Sequence, residues 1–218
     1  MSLTLSRLLD TRLVAVLRAD NGEVLGEVAE ALLAGGVDAL EVTFTVPKAA
    51  RVIEYLADRM GDRILLGAGT VLDSETARAA ILAGASFVVS PHTDERIVEH
   101  CRRYSVPVMS GAMTPTEVIR AWQAGADVVK IFPADSLGPG YLKALKGPLP
   151  HVRLMPTGGV SLKTAQAFLD AGAELLGAGS TLVEKAWMTA RDWTAVENRA
   201  REFRQLVPRL SADLNDGR

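Results

Sequence analysis

The chain has 218 residues and a hydrophobic fraction of 48%, enough for one large core or two small ones. Its formal net charge of −2, with both signs interspersed, leaves no basic stripe and so argues against nucleic acid or an anionic membrane surface as a partner. A single cysteine, Cys101, excludes an intrachain disulfide framework, and no apolar run suits a secretory signal or a membrane span, so a soluble cytoplasmic protein is expected.

An N-terminal helix precedes the first strand, "LVAVLRA" (Leu13 to Ala19). From there a phrase recurs: "LAGGVDALEV" from Leu33, "LAGASFVVS" from Leu82, "QAGADVVKIF" from Gln123 and "DAGAELLGAG" from Asp170. In each copy a helix ends at an Ala-Gly pair and an apolar strand follows, since glycine accepts the left-handed turn that stops a helix. Ala34, Ala83, Ala124 and Ala171 lie 49, 41 and 47 residues apart, a spacing that fits two βα units rather than one. The intervening strands are "ILLGAGTV" (Ile64 to Val71), "VPVMSGA" (Val106 to Ala112) and "RLMPTGGV" (Arg153 to Val160). "PTEVIRAWQAG" reads as a helix with proline and an acidic residue in its first turn, and "SLKTAQAFLDAG" as one capped by serine.

Eight such units predict a single-domain parallel (β/α)8 TIM barrel over residues 1–218, with an extra N-terminal helix. A last helix starts near Asp192, and 211–218 read as a loose tail. An open doubly wound sheet is the competing fold, but "LRADNGE" follows the first strand where a dinucleotide-binding version wants GxGxxG.

Alternation along "LEVTFT" turns Leu40, Val42 and Phe44 toward the helices and Glu41, Thr43 and Thr45 into the barrel. In "VVKIFPA" it turns Val128, Lys130 and Phe132 inward, while Gly67 and Gly69 promise open space nearby. A buried ion pair tying two strands together is the bland reading of Glu41 and Lys130. Such pairs are often no more stabilising than an apolar substitute, which invites a functional one. Glycine-rich strand ends "PTGGV" (Pro156 to Val160) and "GAGSTLV" (Gly177 to Val183) fall on strands seven and eight, whose loops in this fold often bind phosphate through backbone N–H groups.

A lysine kept from water has a lowered pKa and can attack a ketone to form a Schiff base, with a carboxylate beside it to move protons. Metal chemistry has weaker support. His92, His100 and His151 lie on different units without ligand spacing, Cys101 has no activating neighbour, and a GxSxG elbow is absent.

"LEVTFTVP", "GAGTV", "SPHTD", "TPTE", "VVKIFPA", "PTGGV" and "GAGS" occur in this order between Leu13 and Val183. Together they resemble the bacterial 2-keto-3-deoxy-6-phosphogluconate (KDPG) aldolases, also known as 4-hydroxy-2-oxoglutarate (KHG) aldolases. The resemblance implies a class I aldolase that needs no metal or cofactor and assembles as a homotrimer. It implies a Schiff-base lysine at Lys130 and a proton-transferring glutamate at Glu41. Thr70, Pro91 and Phe132 would meet the pyruvate end, and Thr157, Gly158 and Gly159 would lie beside the substrate. Ser180, with Gly179, falls on the phosphate side, and Arg18 could hold a substrate anion. Two positions depart from the common pattern: Thr45 stands where many members have a carboxylate-gripping arginine, and Ser110 where proline is common. The implied substrates are KDPG, its galactonate epimer or 4-hydroxy-2-oxoglutarate. An isomerase on the same barrel and a metabolite-binding sensor are the rival readings.

Overall fold

Each Ala-Gly phrase ends a helix. Gly84, Gly125 and Gly172 have φ of 100°, 100° and 97°, the left-handed region open to glycine; in the first copy Gly36, at 89°, takes that role. The computed structural model describes residues 2–211. Its strands are β1 (Leu13–Leu17), β2 (Ala39–Thr43), β3 (Leu65–Gly69), β4 (Phe87–Val89), β5 (Val108–Ala112), β6 (Val128–Ile131), β7 (Leu154–Pro156) and β8 (Leu176–Ala178). Helix α1 (Leu3–Thr11) precedes them. Between successive strands run α2 (Leu25–Ala34), α3 (Ala49–Met60), α4 (Ser74–Leu82), α5 (Glu95–Arg103), α6 (Pro115–Ala124), α7 (Gly138–Lys146) and α8 (Ala165–Asp170). After β8 come α9 (Lys185–Ala190) and α10 (Trp193–Leu206), the latter capped by Asp192.

All strand pairs are parallel, in the order β7-β6-β5-β4-β3-β2-β1-β8, and a parallel bridge between Thr157 and Gly177 closes the ring. The fold is the TIM barrel expected. Strands β3 and β7 end before their apolar runs do. Thr70, at φ 55°, leaves the extended backbone after β3, and Gly158 and Gly159, at 98° and 69°, do so after β7, so these residues become loop. Helix α8 likewise starts at Ala165 rather than after Ser161, because Ser161 donates its N–H to Thr164 Oγ1 in the preceding turn.

Outward strand residues such as Leu40, Val42, Val129 and Ile131 join the helices in the main core. Inward ones, including Val14, Leu65, Phe87, Met109, Val128 and Met155, form a second core inside the barrel, to which α1 contributes Leu5 and Leu8. The N-terminal helix therefore plugs the N-terminal end, leaving the opposite end for chemistry.

The plug is fastened by charge. Asp38, just before β2, accepts from Arg209 at 2.6 Å and from Thr11 at 3.3 Å, and Arg7 approaches at 3.6 Å. Arg204 on α10 donates to the Thr11 carbonyl at 2.8 Å, and burial pushes its guanidinium down to about 10. The tail read over 211–218 falls, from 212 onward, outside the described residues; Ser211 donates its N–H to Asp10 at 2.8 Å. Asp38→Ala removes the shared acceptor while leaving its arginines in place. It should lower unfolding stability by about 3 kcal/mol, the cost of breaking a largely buried pair, as measured by urea denaturation.

Candidate functional site

Glu41 and Lys130 start from opposite strands of the ring. Glu41 on β2 pairs with Val16 and Gly67, and Lys130 on β6 pairs with Gly111 and Met155. Both side chains point inward, as alternation requires, because their outward neighbours belong to the helix-facing core. Lys130 Nζ lies 3.8 Å from Glu41 Oε1, and the side chains are 4% and 0% exposed. That separation is a charge contact but too long for a hydrogen bond. Neither Glu41 oxygen has a hydrogen-bond partner within the protein. Burial pushes the Lys130 pKa below the ordinary lysine value; the Glu41 charge opposes this, and the Arg18 guanidinium adds to it. The Phe132 ring stands with its centroid 5.3 Å from the amine.

Glycine makes this meeting sterically possible. A methyl group on Gly69 would lie 1.8 Å from Glu41 Oε1, and one on Gly67 would lie 2.2 Å from the Phe87 ring. The open space expected beside these glycines is thus already filled, by the carboxylate and by Phe87. Gly111, the strand neighbour of Lys130, is crowded instead by the Pro91 carbonyl group, whose atoms would be 2.1 to 2.3 Å from an added methyl. That brings Pro91 next to the strand carrying the lysine. Its loop is tied down by hydroxyls: Ser90 donates to the His92 carbonyl at 2.9 Å and Ser110 reaches it at 3.4 Å. Ser110 is therefore a tether for this loop.

Above the pair the barrel opens into two cavities. The smaller, 70 Å³, is lined by Phe132, Thr157, Gly158, Gly159, Gly179 and Ser180, together with Arg18. Seven candidates from four separate stretches of sequence, one of them the cation Arg18, thus meet around one small space. The Thr157 hydroxyl is buried and has no hydrogen-bond partner; it occupies the volume that a methyl on Gly177 would take, 2.2 Å away. The larger cavity, 480 Å³, lies over β1, β2 and β8 and holds Thr45. Arg18, Ser180 and Val16 line both. Lys130 and Glu41 line neither; Phe132, whose ring stands beside the amine, borders the smaller cavity, and Val16, the strand partner of Glu41, borders both.

Thr45 has a defined hydrogen-bond direction. Thr43 donates its one hydroxyl hydrogen to the Leu17 carbonyl at 3.1 Å, so across the 2.7 Å contact between the two threonines Thr45 must donate. In this arrangement Thr45 offers a ligand only lone pairs and cannot replace an arginine on a carboxylate. Thr70 follows β3 directly in its left-handed conformation, half-buried. Val16 escaped the sequence reading, although it shares the inward face of β1 with Arg18. An isolated valine carries no chemical signal, and only the register against Glu41 gives it significance.

Among the described residues no three His, Cys, Asp or Glu side chains cluster in a way that could hold a metal. His92 is engaged by Ser90 at 3.1 Å, and burial pushes the Cys101 thiol up to about 12, which leaves it unreactive. No helix among the described residues is long and apolar enough to cross a membrane.

Residues 5–199 match the KDPG and KHG aldolase family. The 2-dehydro-3-deoxy-phosphogluconate aldolase of Treponema pallidum is 38% identical over 197 residues, covering 90% of this chain and 93% of that protein. The 2-dehydro-3-deoxy-6-phosphogalactonate aldolase of Escherichia coli is 36% identical over 172 residues, covering 78% and 83%. Among solved structures, the KDPG aldolase of Legionella pneumophila, with pyruvate captured as a covalent carbinolamine, superposes with a TM-score of 0.85 at 28% identity over 92% of this chain and 97% of that one. With the fold, the family match and these identities in agreement, the chain belongs to the KDPG/KHG aldolase family and is a pyruvate-dependent class I aldolase.

Proposed function

We propose that the protein cleaves KDPG to pyruvate and glyceraldehyde 3-phosphate, with Lys130 as the Schiff-base nucleophile and Glu41 as the proton carrier. The observation that carries this reading is the 3.8 Å approach of a buried amine to a buried carboxylate that has no other partner. Neutral Lys130 attacks C2 of the keto acid, and loss of water leaves an iminium. Glu41 takes the proton of the C4 hydroxyl, the C3–C4 bond breaks, and its electrons flow into the iminium to form an enamine. The aldehyde leaves, the Glu41 carboxyl group returns its proton to C3, and hydrolysis frees pyruvate and the amine. The carbinolamine captured in the Legionella enzyme is the adduct that amine attack on pyruvate forms.

The iminium formed on Lys130 supplies the electron sink, so the mechanism requires no cofactor. Gly158, Gly159, Gly179 and Ser180 suit the phosphate, since backbone N–H groups at glycine-rich turns can close around an anion and a hydroxyl can add a donor. Thr70, Pro91 and Phe132 would border the pyruvate methyl and keto groups, with Thr157 beside C2. Arg18 takes the carboxylate role that Thr45, already committed as a donor to Thr43, cannot fill. A cytoplasmic homotrimer of single-domain subunits is the assembly that goes with this reading.

Steady-state cleavage of KDPG, its galactonate epimer and 4-hydroxy-2-oxoglutarate tests the substrate, with KDPG expected to give the highest kcat/KM. Borohydride in the presence of pyruvate should add a stable mass to the peptide containing Lys130, detected by mass spectrometry, and Lys130→Met should abolish both the adduct and turnover. Glu41→Gln should reduce kcat by about 100-fold or more, as loss of a general acid–base does, while pyruvate trapping on Lys130 persists. The neutral amine is the reactive form, so the trapping rate should rise with pH along a limb below the ordinary lysine range. Arg18→Gln removes a positive charge that favours the neutral amine and should move that limb to higher pH, a shift read from the pH profile.

A further inference from the structure

The two glycine-rich turns assigned to the phosphate meet at the least paired seam of the barrel. Every other pair of neighbouring strands is joined over two to five register positions, whereas β7 and β8 share the single bridge between Thr157 and Gly177. Beyond that bridge the backbones run into turns, with Gly158 and Gly159 on one side and Gly179 and Ser180 on the other. Strand pairing therefore does not set the distance between them.

Thr181 spans this seam. Its hydroxyl donates to the Val160 carbonyl, one residue beyond Gly159 on the opposite turn. Each end of the bond is itself anchored. On the β7 side, Thr164 donates its hydroxyl to the Gly159 carbonyl at 2.6 Å and accepts the Ser161 N–H at 2.9 Å, which holds the residues on both sides of Val160. On the β8 side, Arg199 of α10 donates to the Thr181 carbonyl at 2.6 Å, and its guanidinium lies 4.9 Å from the Trp187 ring centroid. The N–H groups of Leu182 and Val183 both donate to the Gly179 carbonyl, at 2.9 and 3.0 Å. Thr181 lines the smaller cavity beside Ser180, but its one hydroxyl hydrogen is committed to Val160 and is not offered to a ligand.

We propose that Thr181 is a positioning residue for the substrate phosphate, whose bond to Val160 sets the gap between the two glycine turns at the width one phosphate bridges. The inference rests on the assignment of the phosphate to these turns made above. Because N–H···O bonds form over about 2.7–3.2 Å, turns that drift apart by about 1 Å cannot both bond to one anion. Pyruvate carries no phosphate, so its capture by Lys130 does not depend on that gap.

The test compares Thr181→Val, which keeps the side-chain shape and loses the hydroxyl, with Thr181→Ser, which keeps the donor. Two quantities are read: steady-state cleavage of KDPG, and the pyruvate concentration that half-saturates borohydride trapping on Lys130. Thr181→Val should raise KM for KDPG by roughly tenfold or more, as loss of hydrogen bonds to a charged group does, with kcat and pyruvate half-saturation unchanged. Thr181→Ser should behave as the wild type. An unchanged KM for KDPG in Thr181→Val overturns the inference, whatever kcat does. So does a loss that extends to pyruvate trapping, which marks a general structural role, or a loss that Thr181→Ser shares. Failure of the wild type to trap pyruvate on Lys130 or to cleave KDPG would instead overturn the proposed function and this inference with it.

Discussion

Two charged groups that reach each other across the barrel but do not bond set the terms for the rest of the structure. A lysine and a glutamate in van der Waals surroundings would normally close to a hydrogen-bonded pair, because desolvation of both is otherwise uncompensated. Here the amine stops 3.8 Å from the carboxylate, and both carboxylate oxygens lack a protein partner. Burial favours the neutral amine and the nearby arginine reinforces it, while the carboxylate pulls the other way. An arrangement of this kind is poor as a structural brace. As a pair held apart for a guest able to bond to both, it has a physical rationale.

Several devices hold that separation. Glycines at 67, 69 and 111 remove side chains from the barrel interior at the level of the pair, so that Glu41, Phe87 and the Pro91 carbonyl can occupy the space. Ser90 and Ser110 pin the loop carrying Pro91. Far below, α1 seals the opposite end with Leu5 and Leu8, and the Asp38 cluster fastens it to α10 and the segment after it. The barrel is thus plugged by α1 at one end, and the two cavities bordered by Arg18 lie at the other.

Arg18 has an unusual position in this scheme. It sits at the end of β1, borders both cavities, and its charge is felt by Lys130. An exposed cation there can meet a substrate anion while its charge favours the neutral form of the amine. Thr45, across the larger cavity, has given its hydrogen to Thr43 and adds no competing donor.

The recurrence of Ala-Gly before an apolar strand determined the eightfold βα order, because helix termination by left-handed glycine and strand burial are local properties. Strand alternation likewise determined that Glu41 and Lys130 point inward, since the period of two follows from the backbone alone. Closure of the ring through Thr157 and Gly177, the 3.8 Å distance and the filling of the glycine spaces were decided only by tertiary structure. Each depends on register between strands remote in sequence. The same holds for Val16, whose importance comes from lying beside Glu41, and for the larger cavity, whose walls come from β1, the loops after β1 and β2, and the segment from β8 into α9. Chemical identity is written along the chain, whereas distance and empty volume arise only when separate segments are packed together.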